Sequence, residues 1–463
     1  CCGGSSRIPY GKRALDVRFV RCRAQRQTRR IRDKRKFGRG DTLSRYGLHS
    51  LIDIYSYLQT ARACWCCVCR TRKAGEYDDL SPVSKTAPDQ VSLVVGTSNR
   101  YRWGTDMKIF VLLTAVLLGA CSSADIHIAD CQPRDGLQPV CGIQTPEDIA
   151  ALDDGRHLLL AHFGGMIGGL GSLSLFDTQT ESVTPLFPSA FAVVDVASAT
   201  WGDTDCAAPN PEKFSPHGTH LHRLADGVLR YLVVNHGERE TVEMFEVLGN
   251  GSATGLQWRG CLEPAADTFM NDVVGLSNGD VIYTRMFHNA GTVEMLLSLI
   301  GFNTGDLWRW SKQAGPQLLP GTTANQPNGL EISPDERHVF ANMYVTQELW
   351  KVDVDTGEIV DVAAVANADN SAWGSDGRLW VTTHTAPLSD MIACAGSQEL
   401  ACGAGFAVIA VDADTMETET VFAHAGPPMG AATVAVPQAG RVYMGSFVGD
   451  RLMSSADFLP PGP

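Results

Sequence analysis

From residue 143 to residue 455 short apolar runs alternate with turns, the pattern of short strands. The turns are marked by Asp154-Gly155, Asn278-Gly279, Asp335-Glu336, Asp376-Gly377 and Ala439-Gly440. The runs group into similar units: EDIAALDDGRHLLL, PHGTHLHRLADGVLRYLVV, NDVVGLSNGDVIY, PNGLEISPDERHVF, DNSAWGSDGRLWV and AATVAVPQAGRVYMG. Their heads fall at 147, 217, 271, 328, 369 and 431. Most units continue into a second strand pair, such as GSLSLFDTQTESVTPLF or ELWKVDVDTGEIVDVAAV. Four strands per unit and about six units predict an all-β chain, a six-bladed β-propeller with four-stranded blades.

Uneven spacing of the heads marks two insertions, at 200–213 and 288–302. In the second, GTVEMLLSLIGF, Val293, Leu296, Leu297 and Ile300 recur at helical spacing, with Met295 and Leu299 beside them. A short amphipathic helix here reads either as a blade cap or as a lid. Its broad apolar face favours a helical lid that lends Leu296, Leu297 and Ile300 to a pocket.

Charge and composition divide the chain. Residues 1–106 hold no Met, 7 of the 14 Cys, and 22 Lys+Arg against 9 Asp+Glu; the remainder holds 16 against 42. The segment RAQRQTRRIRDKRKFGR reads as a nucleic-acid arm, and Cys64-Trp65-Cys66-Cys67-Val68-Cys69 as a zinc module without a second ligand pair. A third reading, upstream translation or a disordered basic segment, also accounts for the missing Met and for a signal-like segment directly after residue 106. At 107–120, MKIFVLLTAVLLGA has the charge and length of a signal peptide, and with Cys121 it resembles a bacterial lipobox. The expectation is therefore a signal at 107–120, lipidation at Cys121, a linker over 121–142 and a propeller domain over 143–463. The protein would be exported and anchored to a membrane through lipid, in the periplasm or on the outer membrane. The acidity of the main body argues against nucleic acid as a partner. Six cysteines follow Cys121, and pairing each with its neighbour (131–141, 206–261, 394–402) makes the shortest loops.

The polar heads carry the chemistry. Glu147-Asp148, His217-Gly218, Asn271-Asp272, Asn328-Gly329 and Asp369-Asn370 open equivalent strands. Such heads meet around the axis of a propeller. Carboxylates and amides brought together there form an oxygen-rich site for a hard cation such as calcium, and no cysteine joins them. His220 and His222 share a strand face and could mimic a zinc pair, but no third ligand accompanies them.

SPHG at 215–218, LVVNH at 232–236, NDVVGL at 271–276, PNGLEISPD at 327–335 and DNSAWGSDGRLWVTTH at 369–384 resemble, in this order, the motifs of the paraoxonase (serum paraoxonase/arylesterase) family. The resemblance spans about residues 143 to 454. It implies a propeller with two calcium ions in its tunnel that hydrolyses lactones and aryl esters, with organophosphates accepted by some members. By motif, Glu147, Asn271, Asn328, Asp369 and Asn370 would hold the catalytic calcium, and Asp148, Asp272 and the carbonyl of Thr219 the structural one. His217 and His236 match the histidine pair proposed as the base, and His384 matches a histidine near the pocket. Two departures stand out. Ser454 occupies the place of a cysteine that staples first and last blades, so Cys131 and Cys141 pair with each other or elsewhere. The glycine-rich HFGGMIGGLG at 162–171 replaces a pocket wall, which implies a more open, less aromatic pocket. The expected function is calcium-dependent lactone and aryl ester hydrolysis. The alternatives are a gluconolactonase-type hydrolase and a non-catalytic surface lipoprotein with structural calcium.

Overall fold

The computed structural model describes residues 126–456, apart from 166–168, 190–191, 195–199, 289–291 and 396–398. The basic segment 1–106, the signal-like segment 107–120 and Cys121 lie outside the described residues.

Six four-stranded antiparallel blades surround one axis. Blade one comprises Pro146–Ala151, His157–His162, Ser172–Asp177 and Ser182–Phe187. Blade two comprises Pro216–Arg223, Leu229–Asn235, Thr241–Leu248 and Gly255–Leu262, extended outward by Ala192–Val194 and Trp201–Gly202. Blade three comprises Phe269–Gly275, Val281–Phe287, Asp306–Ser311 and Gly315–Leu318. Blade four runs through Pro327–Ile332, His338–Met343, Glu348–Asp353 and Ile359–Ala364. Blade five runs through Ala368–Trp373, Leu379–His384, Phe406–Val411 and Thr418–His424. Blade six uses Ala432–Gln438, Arg441–Ser446 and Arg451–Ser455, and takes its outermost strand, Gln138–Cys141, from the N-terminal side.

That last pairing corrects the expected boundary, because Gln138–Cys141 belongs to the propeller rather than to a linker. Gln138 pairs with Ser454, so backbone hydrogen bonds close the ring where a disulfide staple is missing. Among the described residues the disulfides are Cys131–Cys141, Cys206–Cys261 and Cys394–Cys402.

The alternating pattern works as a propeller needs. Both faces of each blade are apolar and pack on the neighbouring blades. Leu232, Val234 and Met244 of blade two, for example, interdigitate with Met270, Val273 and Tyr283 of blade three. Each such side chain contributes about 1.5–3 kcal/mol when fully buried. The turns sit where the sequence marks them: Gly155, Gly279 and Gly377 all adopt positive φ, which costs glycine little.

Two helices interrupt the described strands, Thr292–Leu299 in the expected insertion and Leu388–Ala395 within blade five. Neither is long and apolar enough to cross a membrane.

Candidate active site on the propeller axis

At the head of each inner strand the antiparallel register breaks. The breaks fall between Pro146 and Asp148, opposite His217-Gly218, between Met270 and Val273, between Pro327 and Leu330, between Ala368 and Ser371, and between Ala432 and Val434. Successive strand residues normally face opposite sides, and a bulge re-aims them. Here the breaks fall on the polar heads, so Glu147, Asn271, Asn328, Asp369 and Asn370 are brought together, all buried, around the axis. Close backbone approach explains two of the glycines. A Cβ on Gly218 would sit 2.3 Å from Asp272 Oδ1 and 2.6 Å from the Asn271 carbonyl, and one on Gly329 would sit 2.3 Å from the Asp369 carbonyl.

Several oxygens at this centre lack hydrogen-bond donors. Glu147 Oε2, Asn271 Oδ1, Asn328 Oδ1 and Asn370 Oδ1 are buried and unpartnered. Asn370 Nδ2 donates to Glu147 Oε1 at 2.8 Å, which turns its own Oδ1 elsewhere. A buried oxygen without a donor is costly, and a cation would satisfy all four together. The charges point the same way. Burial, then the charges of Asp148, Asp369 and Asp272, push Glu147 well above the usual carboxylate range. Burial raises Asp369 to about 7 and Asp148 to about 6, and burial with the charge of Asp148 raises Asp272 well above its usual value. Two carboxylates and three amides form a hard-oxygen donor set that fits calcium.

The deeper pair is bound differently. Asp148 Oδ2 accepts the Thr219 N–H at 2.6 Å and its hydroxyl at 2.7 Å, and Asp148 Oδ1 accepts the Ile149 N–H. Asp272 accepts from the N–H groups of Val273 and Leu330. These oxygens are already engaged, though each keeps a second lone pair. Both carboxylates also line a cavity of about 510 Å³ that holds His220 and His222 as well. His220 Nδ1 accepts the Gly275 N–H, and His222 Nε2 accepts from Arg230 at 2.7 Å, so this pair is structural rather than a zinc site.

On the side of the unpartnered oxygens lies a cavity of about 220 Å³. Its floor is Glu147, Asn271, Asn328 and Asp369, and His217 and His384 stand at its edge. His217 Nδ1 lies 2.9 Å from His236 Nε2, and His217 Nε2 faces Glu147 Oε1 at 3.9 Å. Burial, then the repulsion that two protonated rings would feel beside each other at His217 and His236, holds His217 well below the ordinary histidine value. His384 Nδ1 meets the Tyr344 hydroxyl at 3.0 Å, its Nε2 lies 3.6 Å from Asp369 Oδ2, and burial lowers it to about 4.

The apolar wall is not where it is expected. Leu296, Leu297 and Ile300 are absent from the cavity lining, and Leu296 and Ile300 are 59% and 53% exposed. Met391, Ile392 and Ala395 of the second helix form that wall, with Phe447, Met286 and Phe163. Phe163 lies in the glycine-rich stretch and stacks on His217 at 4.3 Å, so that wall keeps an aromatic ring.

A family model described as arylesterase matches residues 204–454, more than half of the 463 residues. The chain belongs to the arylesterase family. It is a hydrolase of the ester type, and its substrate is a small molecule. No curated protein matches it. Among solved structures, it is similar to a luciferin-regenerating enzyme at 12% identity, covering 70% of this chain and 97% of that one, with a TM-score of 0.42. A gluconolactonase from Xanthomonas campestris matches at 16% identity, 72% and 99% coverage and a TM-score of 0.41. The calcium-binding protein regucalcin from Agrobacterium tumefaciens matches at 13% identity, 73% and 95% coverage and a TM-score of 0.40. Likenesses this distant carry no argument about chemistry or ligands.

Proposed function

We propose that this arylesterase-family chain is a calcium-dependent hydrolase of lactones and aryl esters, with Glu147, Asn271, Asn328, Asp369 and Asn370 holding the catalytic ion and His217 acting as general base. The single observation that carries the reading is the ring of buried, unpartnered oxygens at the floor of the cavity beside His217. Calcium bound there supplies a Lewis acid that polarises the ester carbonyl and offsets the charge of the developing oxyanion. A second ion is proposed beside Asp148, Asp272 and the Thr219 carbonyl, where two buried carboxylates repel each other.

The chain's own residues do the rest. Burial keeps the His217 imidazole neutral near pH 7, so its Nε2 can accept a proton. A water between Nε2 and the substrate gives a proton to Nε2 as its oxygen bonds to the carbonyl carbon. When the tetrahedral carbon collapses, the bond to the alkoxy or aryloxy oxygen breaks, and that oxygen takes the proton back from His217. Met391, Ile392 and Phe447 line the cavity and favour an apolar acyl or aryl group against the wall.

Asn328 supplies a neutral oxygen, so its loss should weaken calcium binding without removing the base. An Asn328→Ala variant is expected to need at least about tenfold more calcium for half-maximal activity, since losing even an outer partner of a metal ligand costs that much, while keeping most of its turnover at saturating calcium. A calcium titration of activity that overlays the native curve would contradict the assignment.

A further inference from the structure

We infer that Glu240 is a positioning residue for the hydrolysis, one that sets the tautomers of His236 and His217 and so aims the basic nitrogen of His217 at the substrate; this rests on the reading of His217 as the base. Glu240 Oε1 lies 2.8 Å from His236 Nδ1. His236 Nε2 lies 2.9 Å from His217 Nδ1. His217 Nε2 then faces the axial cavity. The three side chains form one line from the cavity outward.

Proton positions are set by what each atom can do. An ionised carboxylate only accepts, so His236 Nδ1 carries the hydrogen. With its one hydrogen on Nδ1, the His236 ring accepts on Nε2, which requires His217 Nδ1 to donate. That leaves the lone pair of His217 on Nε2, toward the cavity, where a general base needs it. Without the carboxylate, the opposite pair of tautomers would place a hydrogen on His217 Nε2 and remove the base. A triad carboxylate that holds a histidine in its working tautomer acts by the same logic.

The surroundings hold this alignment. His236 stacks on Phe269 at 4.3 Å with 6° between planes, and His217 stacks on Phe163. Both rings are clamped against a flip, so hydrogen placement must come from their partners. Glu240 is itself fixed, since its Oε2 accepts the Met270 N–H at 3.2 Å. Its outer side reaches a surface groove of about 490 Å³, where Arg239, Glu263 and Asp267 are the other charged groups. Arg239 is turned away, donating to the Ala207 carbonyl. Because the carboxylate faces that groove rather than the substrate, it acts only through the two histidines.

The test compares Glu240→Gln, which keeps the shape and removes the charge, with Glu240→Asp, which keeps the charge, both at saturating calcium. For Glu240→Gln the turnover of a chromogenic aryl acetate is expected to fall at least about tenfold with KM changed little. Calcium affinity and melting temperature should stay native, and Glu240→Asp should recover part of the turnover. The imidazole ¹⁵N NMR signals of the native protein should show His217 with hydrogen on Nδ1 only, and in Glu240→Gln they should move toward a mixture of tautomers. Native turnover together with native imidazole signals in Glu240→Gln would overturn the inference, as would a loss of turnover with unchanged signals. Altered signals with native turnover would count against His217 as the base, while leaving the hold of Glu240 on the tautomers standing.

Discussion

Turnover of aryl esters is expected to fall at least about 10²-fold in a His217→Gln variant, the usual worth of a positioned general base. Calcium affinity should change little, because the imidazole is not among the proposed ligands and its Nε2 lies 3.9 Å from Glu147 Oε1. The pH profile is set by the burial of His217. A base must be unprotonated to work, so activity should drop as pH falls through its pKa. Burial and the repulsion between the two rings when both are protonated lower that pKa, which puts the acid limb below the ordinary histidine range rather than inside it, where an unburied histidine would titrate. Steady-state kinetics of the variant, with the native profile at saturating calcium, check both points. An unchanged turnover number would remove His217 as the base and shift attention to Glu147.

Calcium-stripped protein is expected to melt at least on the order of 10 °C below the calcium-loaded form at pH 8, and by much less at pH 5. Glu147, Asp148, Asp272 and Asp369 are all held above their ordinary values, Asp148 at about 6 and Asp369 at about 7. A raised carboxylate pKa means that the folded state binds more protons than the unfolded chain, whose carboxylates titrate near pH 4. The stripped fold is therefore favoured below the unfolded value and loses stability as pH rises through about 6 to 7. Calcium offsets the repulsion among the charged forms and should flatten the curve. Calorimetry across this pH range, with and without calcium, measures the difference directly. Parallel curves would show that the axial carboxylates do not share a cation.

Much of this molecule is legible in the sequence because propeller rules are local. Turn residues such as Gly155 and Gly279 mark strand ends, and the polar heads recur at one phase, so the sequence brings Glu147, Asn271, Asn328, Asp369 and Asn370 to one axis. Features that escape depend on distant pairing or on orientation. Gln138–Cys141 closes the ring by pairing with strand 451–455, more than 300 residues away, and its short run carries no sign of its partner. The helix Thr292–Leu299 shows its period clearly, yet periodicity does not say which way an apolar face turns, and Leu296 points outward. The second helix carries the same spacing in Leu388, Met391, Ile392 and Ala395, but over eight residues between strands the signal is faint. Glu240 lies four residues after His236 in an ordinary polar turn, and only the ring orientation of His236 gives it a role.

Turnover of a lactone and an aryl ester, measured after calcium is chelated and again after it is returned, tests the central claim most directly, with Asp369→Ala alongside. Asp369 is one of two carboxylates in the ligand ring, and it is buried there. Calcium-dependent hydrolysis on the axis predicts that native activity falls below about 1% on chelation and returns with calcium, while Asp369→Ala stays inactive in both conditions. Full activity of the native protein under chelator, or of Asp369→Ala, would contradict it.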